Sequence, residues 1–461
     1  MMRSLFSGVS GLKNHQTRMD VIGNNISNVN TTGFKSSRVN FTDMLSQTLS
    51  GASTPNDNVG GTNPKQIGLG SSVGAIDLLF TNGSVQSTGV NTDLALSSTN
   101  SLFILDKGNG NYVYTRNGDF QFDAEGNYVQ AGNGYFVQGW MEKDKDGNLL
   151  TNIDPTNITI PAGKMMEPQM TTKINFSSNL DAATNIDGQC VVTSTVYSAL
   201  GDPVTVSMIA QKTKVDKDTS GNSYSEWELT LQSATVKLSD GSTKNVDISE
   251  SPMYVPDPEN PPTGHAAVTL KFDGNGKLIA VGGTAGKTSI DNQIVLKYAT
   301  GDTTTTTTGA YQLQDIDLEF KEVTQYTTGS GSTVAANRDD GNASGTLQSI
   351  SIDKTGTITG TYTNGEKRAE AQVALMRFTN PAGLTKVGDS LYEDSNNAGK
   401  DIFGTATKFG ATITPAALEM SNVDIANEFT DMIITQRGFQ GNSKIITVSD
   451  EMLETLINMK R

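Results

Sequence analysis

A repeating apolar pattern at the C-terminal end constrains the fold of this chain more than any other feature. Polar residues at Gln436, Ser443 and Asp450 separate apolar residues that recur on a seven-residue template. These apolar residues are Ile425, Phe429, Met432, Phe439, Ile446, Leu453 and Ile457. The spacing predicts one amphipathic helix, and Ser421 with Asp424 ahead of it matches the capping-box pattern that starts a helix.

A helix of this length needs a partner. Continued to Met459, it would be roughly 50 Å long at a rise of about 1.5 Å per residue. Its apolar stripe is longer than a small core can cover, so a second helix has to pack against it. Two ordinary core helices are the alternative interpretation. A stripe that reaches the chain end of a β-rich protein favours packing between chains instead.

The N-terminal end carries a second apolar stripe, with steps of three and four and a polar gap at Gln16. Its members are Leu5, Val9, Leu12, Met19, Ile22, Ile26 and Val29. The stripe predicts a helix that stops at Asn30-Thr31-Thr32-Gly33, where polar residues and glycine favour a turn. This helix is the first candidate partner for the C-terminal helix, and neighbouring subunits are the next.

Between the two ends, short alternating runs broken by Gly, Asn and Asp replace the helical spacing. The pattern Asp-x-x-Gly begins at Asp123, Asp144, Asp273 and Asp353. Each copy predicts a hairpin turn, because Asp accepts hydrogen bonds from the turn backbone and Gly adopts a positive φ. Apolar runs such as Tyr112-Val113-Tyr114-Thr115 predict strands, so the middle of the chain is expected to form antiparallel β domains.

The composition argues against several classes of partner. The formal net charge is −15, and nucleic acid and anionic lipid both require basic patches. No apolar run approaches the ~20 residues of a transmembrane helix. The first residues also lack the apolar core of a cleaved secretory signal. We therefore expect no nucleic-acid binding, no membrane insertion and no cleaved signal peptide. The threonine run 303–308 predicts a surface loop.

Recognisable catalytic, cofactor and metal motifs are missing from the sequence. The stretch that begins at Asp144 lacks the glycine and glutamate spacing of a calcium loop. The glycine-rich stretch 68–74 lacks the Gly-Lys-Ser/Thr ending of a phosphate loop. His15 and His265 are the only histidines, and neither lies in a catalytic pattern. We predict that the chain is not an enzyme, with no catalytic residue, no cofactor and no metal.

Both ends of the chain resemble bacterial flagellar rod and hook proteins. The block from Gly8 to Lys35 resembles the N-terminal signature of that family. It contains the motif residues Asn24, Asn25, Asn28, Asn30, Gly33, Phe34 and Lys35. The block from Ser421 to Leu456 resembles the family's C-terminal helix, and the segments 114–120 and 378–384 look like the adjoining β domain.

A large insert, about 161–344, separates these blocks. Rod proteins of the family carry little at this place, so the insert favours a hook subunit, and the segment 196–201 resembles the start of the hook outer domain. The resemblance implies a structural subunit that self-assembles into a short curved tube, the universal joint that transmits torque from rod to filament. A distal rod or hook-associated protein is the nearest alternative. A secreted β-rich adhesin or carbohydrate-degrading enzyme is the alternative from another class.

The expected architecture is multidomain, with mainly β outer domains and a coiled-coil-like helical inner domain formed by both chain ends. Residues 1–69 with 418–461 would form the inner domain, which lines a channel. Residues 70–160 with 345–417 would form a β-rich middle domain. Residues 161–344 would form a β-rich outer domain of one or two subdomains. The two apolar stripes are the predicted subunit interface.

The resemblance also implies partners and a location. The partners are other copies of the chain in a helical homopolymer, the distal rod protein, the hook cap, the hook–filament junction proteins and the flagellar export apparatus. The location is the extracellular hook. Cys190, the one cysteine, is by default a small buried hydrophobe. Some hook proteins join a cysteine-derived residue to a lysine of the next subunit, so a crosslink to Lys164 or Lys173 is the alternative.

Overall fold

The structure, a computed structural model, divides the chain into two compact units. The described residues are 2–55, 60–108, 110–144, 147–217, 223–237, 243–255, 266–299, 311–329, 331–399 and 402–459. One unit contains residues 1–162, 349–361 and 367–461 and is called the terminal unit. The other contains residues 163–348 and 362–366 and is called the inserted unit. The predicted loop 303–308 lies outside the described residues.

The terminal unit begins with a long helix, α1, which spans Met2–Ser27. Twelve strands of the same unit follow it along the chain. They are β1 Ser37–Asp43, β2 Ser46–Ser50, β3 Lys65–Gly68, β4 Ser71–Leu78, β5 Val85–Ser87, β6 Leu94–Leu96, β7 Ser101–Asp106, β8 Tyr112–Thr115, β9 Phe120–Phe122, β10 Tyr128–Gln130, β11 Phe136–Trp140 and β12 Thr156–Asn157.

The inserted unit consists of strands in its described residues. They are β13 Met165–Met166, β14 Lys173–Asn179, β15 Gln189–Tyr197, β16 Pro203–Lys217, β17 Ser223–Lys237, β18 Thr243–Asn245, β19 Val268–Asp273, β20 Leu278–Val281, β21 Thr284–Ala285, β22 Ser289–Ala299, β23 Tyr311–Thr324 and β24 Ala335–Arg338. Strand β25, Gly345–Ile352, leads the chain out of this unit.

The chain then returns to the terminal unit and ends in a second long helix. The strands are β26 Thr357–Tyr362, β27 Lys367–Val373, β28 Leu375–Arg377, β29 Thr385–Gly388, β30 Leu391–Glu393, β31 Ile402–Gly404, β32 Ile413–Pro415 and β33 Ala417–Glu419. A 3-10 turn spans Pro381–Gly383, a short helix α2 spans Ala406–Phe409, and the long helix α3 spans Ile425–Met459.

Antiparallel pairing organises the β part of the terminal unit. The strands follow the order β26-β27-β11-β7-β8-β30-β29, so both flanks of the insert contribute to one sheet. Its core includes Leu102, Ile104, Tyr114, Trp140, Phe378, Leu384 and Tyr392. The rings of Tyr114 and Phe378 meet edge to face, with centroids 4.8 Å apart, which is a favourable aromatic geometry.

The predicted Asp-x-x-Gly turns are confirmed at Asp123, Asp273 and Asp353. In the first turn, the Asp123 carboxylate accepts hydrogen bonds from the backbone N–H groups of Glu125 and Asn127 at 2.9 and 2.7 Å. Gly126 has φ 87°, in the region that glycine adopts without steric cost. Two residues of the turn that begins at Asp144 lie outside the described residues.

The inserted unit contains two main sheets around one hydrophobic core. One sheet has the order β22-β23-β14-β24, and the other β15-β16-β17-β19-β20-β21, with β18 beside β17. Strand β16 buries every second residue from Val204 to Ala210, as a strand with one covered face does. Trp227 of one sheet and Phe320 of the other belong to the same cluster of buried side chains, so both sheets share a single core.

The first four strands form an extended two-stranded ribbon beside α1. Strand β1 pairs with β4 and β2 pairs with β3, both antiparallel. The side-chain amide of Asn14 donates to Ser71 Oγ at 2.8 Å, and the amide of Asn25 donates to the backbone oxygen of Ser37 at 2.8 Å. These bonds fix the base of the ribbon against the helix.

The two long helices pack against each other in antiparallel directions. Ser4 lies near Ser449 at one end of the pair, and Asn25 contacts Glu428 at the other. The prediction of a mainly β protein with a helical element built from both chain ends is therefore confirmed. Within the described part of the chain, no helix is long and apolar enough to cross a membrane.

Candidate subunit interface

Glycines bring the two long helices into close contact. A β-carbon at Gly8 would lie 3.2 Å from Ile446 Cγ1, and one at Gly11 would lie 2.6 Å from Asn442 Nδ2. Real β-carbons do not approach a neighbour as closely as 2.6 Å, so a larger residue at Gly11 would displace the Asn442 side chain where it crosses α1. Glycines therefore allow the two helices to approach closely at these two positions.

Polar side chains also lie in this contact. Arg18 pairs with Asp431 at 3.0 Å, and the Asn25 amide donates to Glu428 Oε1 at 3.0 Å. Burial raises the pKa of Glu428, and the hydrogen bond from Asn25 partly offsets this rise. These polar contacts fix the register of α1 along α3, because each group has a defined partner.

The residues of the two predicted stripes lie in different environments. Ile22 is buried. The half-buried members are Leu5, Leu12, Met19, Ile26, Val29, Met432, Ile446 and Leu453. The exposed members are Val9, Ile425, Phe429, Phe439 and Ile457. The structure therefore brings part of each stripe to the contact between α1 and α3 and leaves the rest on the surface of the pair.

A further apolar surface on α3 was missed by the sequence analysis. We call it the outer flank, and its members are Ile434, Ile445, Val448, Met452 and Leu456. All five are exposed, Ile434 at 55% and Ile445 at 46%. Steps of eleven, three and four place them along one side of the helix. The seven-residue spacing selects residues along a different line of α3, so the predicted stripe did not include these five.

The start of α3 corrects the predicted capping box. The Asp424 carboxylate accepts hydrogen bonds from the backbone N–H groups of Ala426 at 2.9 Å and Asn427 at 3.4 Å, so Asp424 is the N-cap. The Ser421 hydroxyl accepts from Val423 N at 3.3 Å instead and lies before the helix. The prediction placed the cap three residues too early because both residues are good cap formers.

A buried ionic cluster joins the N-terminal turn, the β sheet and the segment before α3. Lys35 Nζ lies 2.7 Å from Glu419 Oε1, and Arg116 Nε lies 3.0 Å from Glu419 Oε2. All three side chains are fully buried. Lys35 also donates to the backbone oxygen of Thr81 at 2.7 Å, and Arg116 donates to that of Ser101 at 2.7 Å. Each cation therefore has a backbone acceptor besides Glu419.

The electrostatics of the cluster depend on the single carboxylate of Glu419. Burial and the neighbouring Arg116 lower the pKa of Lys35, while Glu419 raises it. Lys35 is among the motif residues predicted from the sequence, but its partner Glu419, 384 positions away along the chain, was not predicted. No local pattern relates such distant residues, so only the folded structure shows their pairing.

The other motif residues surround the end of α1. Gly33 has φ 67°, and its N–H donates to the backbone oxygen of Glu419 at 2.8 Å. Phe34 is buried, Asn25 contacts both Ser37 and Glu428, and Asn30 is exposed. The Asn28 amide donates to Asn24 Oδ1 at 3.0 Å.

Cys190 lies near the start of β15 in the inserted unit. Its side chain is half-buried and packs beside the core of that unit. Burial raises the pKa of its thiol, and a hydrogen bond with Ser332 lowers it in part. The thiol is therefore less acidic than an ordinary cysteine, although part of it faces solvent.

Four sequence families match successive parts of the chain. The model described as flagella basal body rod protein matches residues 5–35. The flagellar hook protein FlgE/F/G D1 domain matches 99–179, and the flagellar basal body protein FlaE D2 domain matches 179–342. The flagellar basal body rod FlgEFG protein C-terminal family matches 414–459. The matched segments include both long helices, the motif block and Cys190.

Relatives of full length show which member of this group the chain resembles. The flagellar hook protein FlgE of Borreliella burgdorferi is 38% identical, and that of Treponema pallidum is 39% identical, each over 100% of both chains. The crystal structure of Helicobacter pylori flagellar hook protein FlgE2 covers 73% of this chain and 100% of its own, with a TM-score of 0.47 and 14% identity. On the full-length relatives, the chain belongs to the flagellar hook protein family and is a structural subunit of the hook polymer.

Proposed function

We propose that the outer flank of α3 packs against the helices of neighbouring copies in the hook. The observation that carries this proposal is the exposure of the five flank residues on the surface of the helix pair. A contiguous exposed apolar surface is costly in water and marks an interaction site. Burial of one Ile or Leu side chain contributes about 1.5–3 kcal/mol, and a polymer repeats this contribution in every subunit.

The exposed ribbon is a second feature that supports self-assembly. Strands β2 and β3 are exposed along their whole length, and Leu45 between β1 and β2 is 83% exposed. A two-stranded ribbon with no covered face is marginally stable alone. We expect neighbouring copies to cover it in the hook.

A charge introduced on the outer flank tests the packing proposal. Ile445→Asp places a carboxylate on the flank and should abolish tube formation, because an unpaired charge at a packed interface is strongly unfavourable. Thr447→Asp is the matched control, since Thr447 is exposed two residues away on the opposite side of α3. Leu453 is a poorer probe, because it is half-buried and a charge there would also disturb the half-buried part of the helix pair.

Electron microscopy of the polymer and circular dichroism of the monomer provide the two readouts. Both variants should keep the β-sheet signal and melting temperature of the native monomer. Tubes formed by Ile445→Asp in normal number would contradict the proposal, and so would equal loss of tubes in both variants.

The proposed architecture follows from the same packing. Residues 1–69 with 418–461 form the inner domain around the channel, residues 70–160 with 345–417 the middle domain, and residues 161–344 the outer domain. Many similar contacts that tolerate sliding would let the tube bend while it transmits torque. The buried cluster of Lys35, Arg116 and Glu419 supports this proposal, because it fastens both chain ends to the sheet of the terminal unit.

The proposed partners are those of a hook. The ends of the tube would contact the distal rod protein, the hook cap and the hook–filament junction proteins, and the chain would reach its extracellular position through the flagellar export apparatus. A pull-down with purified rod and junction proteins tests the first group. If immobilised hooks retain neither the rod protein nor the junction proteins, the proposal that the tube ends contact them is wrong.

A further inference from the structure

A polar pocket lies where the end of α1 meets the β sheet of the terminal unit. Its volume is about 500 Å³. Its walls come from the end of α1 with Asn24 and Asn28, the turn that contains Phe34, the residues Asn117 and 130–133, and the hairpin of β29 and β30 with Lys386. The pocket therefore lies among the motif residues that the ionic cluster of Glu419 does not use.

Lys386 is the cation of this pocket. Its ammonium nitrogen lies 3.7 Å from the centroid of the Phe34 ring, a cation–π contact, and the side chain is half-buried. Among the described residues, no carboxylate forms an ion pair with it. Asp389 also lines the pocket and is exposed, but it does not pair with Lys386. Burial lowers the pKa of Lys386, as expected for an ammonium group that is partly removed from water without a counter-ion.

Amide groups accompany this cation. Asn24 accepts a hydrogen bond from Asn28, and Asn117 accepts one from the backbone N–H of Asp119 at 3.2 Å. Within the part of the chain that the structure describes, the side-chain NH₂ groups of Asn24 and Asn117 donate no hydrogen bond. An ammonium group and two amide donors around one cavity match the acceptor oxygens of a carboxylate.

The walls of the pocket are held in place from within the subunit. The Ser390 hydroxyl donates to the backbone oxygen of Thr32 at 3.2 Å, and the Thr115 hydroxyl donates to the backbone oxygen of Ser390 at 3.0 Å. Asp389 and Ser390 adopt φ 49° and 57°, a left-handed turn conformation that non-glycine residues adopt at some cost. The hairpin is therefore fixed against the turn before any partner arrives, which lowers the entropy cost of binding.

We propose that this pocket receives an aspartate or glutamate side chain from a second copy of the chain, which pairs with Lys386. The inference rests on the assembly of the chain into the hook polymer. The charge balance supports a second copy as the occupant, since each chain carries 49 acidic residues against 34 Lys and Arg. Every neighbouring subunit thus carries more carboxylates than cationic side chains from which an occupant can come.

Carbodiimide crosslinking of isolated hooks tests this pairing directly. The reagent activates a carboxyl group, the amine of Lys386 attacks it, and an amide forms as the urea leaves. Hooks are prepared from a Cys190→Ser chain, so that no cysteine-derived link obscures the result. We expect a dimer on denaturing gels whose digest contains Lys386 joined to an Asp- or Glu-containing peptide, and no such dimer from treated monomer.

Two variants separate the pair from a structural effect. Lys386→Arg keeps the charge but lacks the nucleophilic amine, so tubes should form and the crosslink should disappear. Lys386→Met removes the charge and should raise the protein concentration needed for assembly at least severalfold. Lys367→Met is the control, since Lys367 is an exposed lysine of the same unit, and it should change neither assembly nor the melting temperature.

The results of these experiments test the pocket proposal independently of the proposed outer-flank packing. A dimer whose digest lacks Lys386, or a link from Lys386 to Asp389 within the monomer band, overturns the pocket assignment. Normal assembly of Lys386→Met overturns it as well. None of these results would contradict the hook polymer or the outer-flank packing that the Ile445→Asp variant tests.

Discussion

The imidazole ring of His15 on α1 lies against the backbone of Gly438 on α3, where a β-carbon would come within 2.6 Å of the ring. A glycine in a helix interior costs about 1 kcal/mol relative to alanine. Glycine at this position leaves room for the ring, because a β-carbon would meet Cε1 and Nε2 of His15. Phe41 of β1 closes the other side, with its ring centroid 5.8 Å from that of His15.

We predict that Gly438→Ala weakens the pairing of α1 with α3, although alanine is the better helix former. The added methyl group would overlap the His15 ring and force the helices apart. Gly441→Ala is the matched control, because nothing lies within 4 Å of a β-carbon at Gly441. That control should leave the pairing intact or stabilise the helix by up to about 1 kcal/mol. Thermal melting followed at the helical dichroism band measures both, and equal behaviour would contradict the assigned contact.

The pairing of the helices should also depend on pH through His15. Burial, and to a smaller extent Arg18, lowers the pKa of His15. The folded state therefore binds fewer protons than the unfolded state, and the contribution to stability is present above about pH 6.5 and is lost as the pH falls below it. The charged neighbours are Arg18 and its partner Asp431 on α3. The raised pKa of Glu428 has the opposite effect on stability. In the more acidic range where Glu428 takes up its proton, a fall in pH stabilises the folded state.

A His15→Gln variant isolates the histidine. Between about pH 7 and pH 5.5, the melting temperature of the helix pair should fall more steeply in the native chain than in this variant. Parallel pH profiles of the two proteins would show that protonation of His15 does not act on the pairing.

Removal of the central carboxylate in the ionic cluster should destabilise the terminal unit severely. Glu419→Ala leaves Lys35 and Arg116 buried without their anion, and loss of one partner of a buried ion pair costs about 3–5 kcal/mol. Lys35→Met should cost less, because Arg116 then keeps Glu419 as its partner. Urea unfolding of the monomer measures the difference, with the exposed Glu454→Ala as control. A smaller effect from Glu419→Ala than from Lys35→Met would argue against a single shared carboxylate.

The proposed crosslink of Cys190 to a lysine of the next subunit has a direct test. Native hooks that give a ladder on denaturing gels after boiling with reductant would support the link, and its digest should contain Lys164 or Lys173. Burial raises the pKa of the half-buried thiol and so lowers its thiolate fraction, and we therefore expect the link to form slowly. Native hooks that give only monomer on such gels, as Cys190→Ser hooks should, would contradict the link. Cys190 would then be an ordinary packed thiol.

Limited proteolysis tests how far the terminal helices depend on assembly. An isolated amphipathic helix is marginal in water, and α3 exposes its outer flank in the single subunit. We expect protease to trim a soluble monomer from both ends, to a β-rich core from about residue 70 to about residue 415, and to leave the ends intact in the hook. Protected ends in a proven monomer would show that α1 and α3 stabilise each other without neighbours.

The sequence by itself determined the local elements of this protein. The helix α3, the turns at Asp123, Asp273 and Asp353, and the strand Tyr112–Thr115 all follow from the spacing or identity of residues close together along the chain. Such elements form from short-range hydrogen bonds and side-chain periodicity, so their signals are present in short windows of sequence.

Only the tertiary structure decided which of these residues meet. The pairing of Lys35 and Arg116 with Glu419, the contact of Gly438 with His15, and the open position of Lys386 beside Phe34 join residues that are far apart along the chain. The apolar stripes of α1 and α3 showed that each helix needs a partner, but not which side would face it. Glycines allow the closest approach of the two backbones on that side, and polar pairs fix the register, while the large apolar side chains of the outer flank stay exposed.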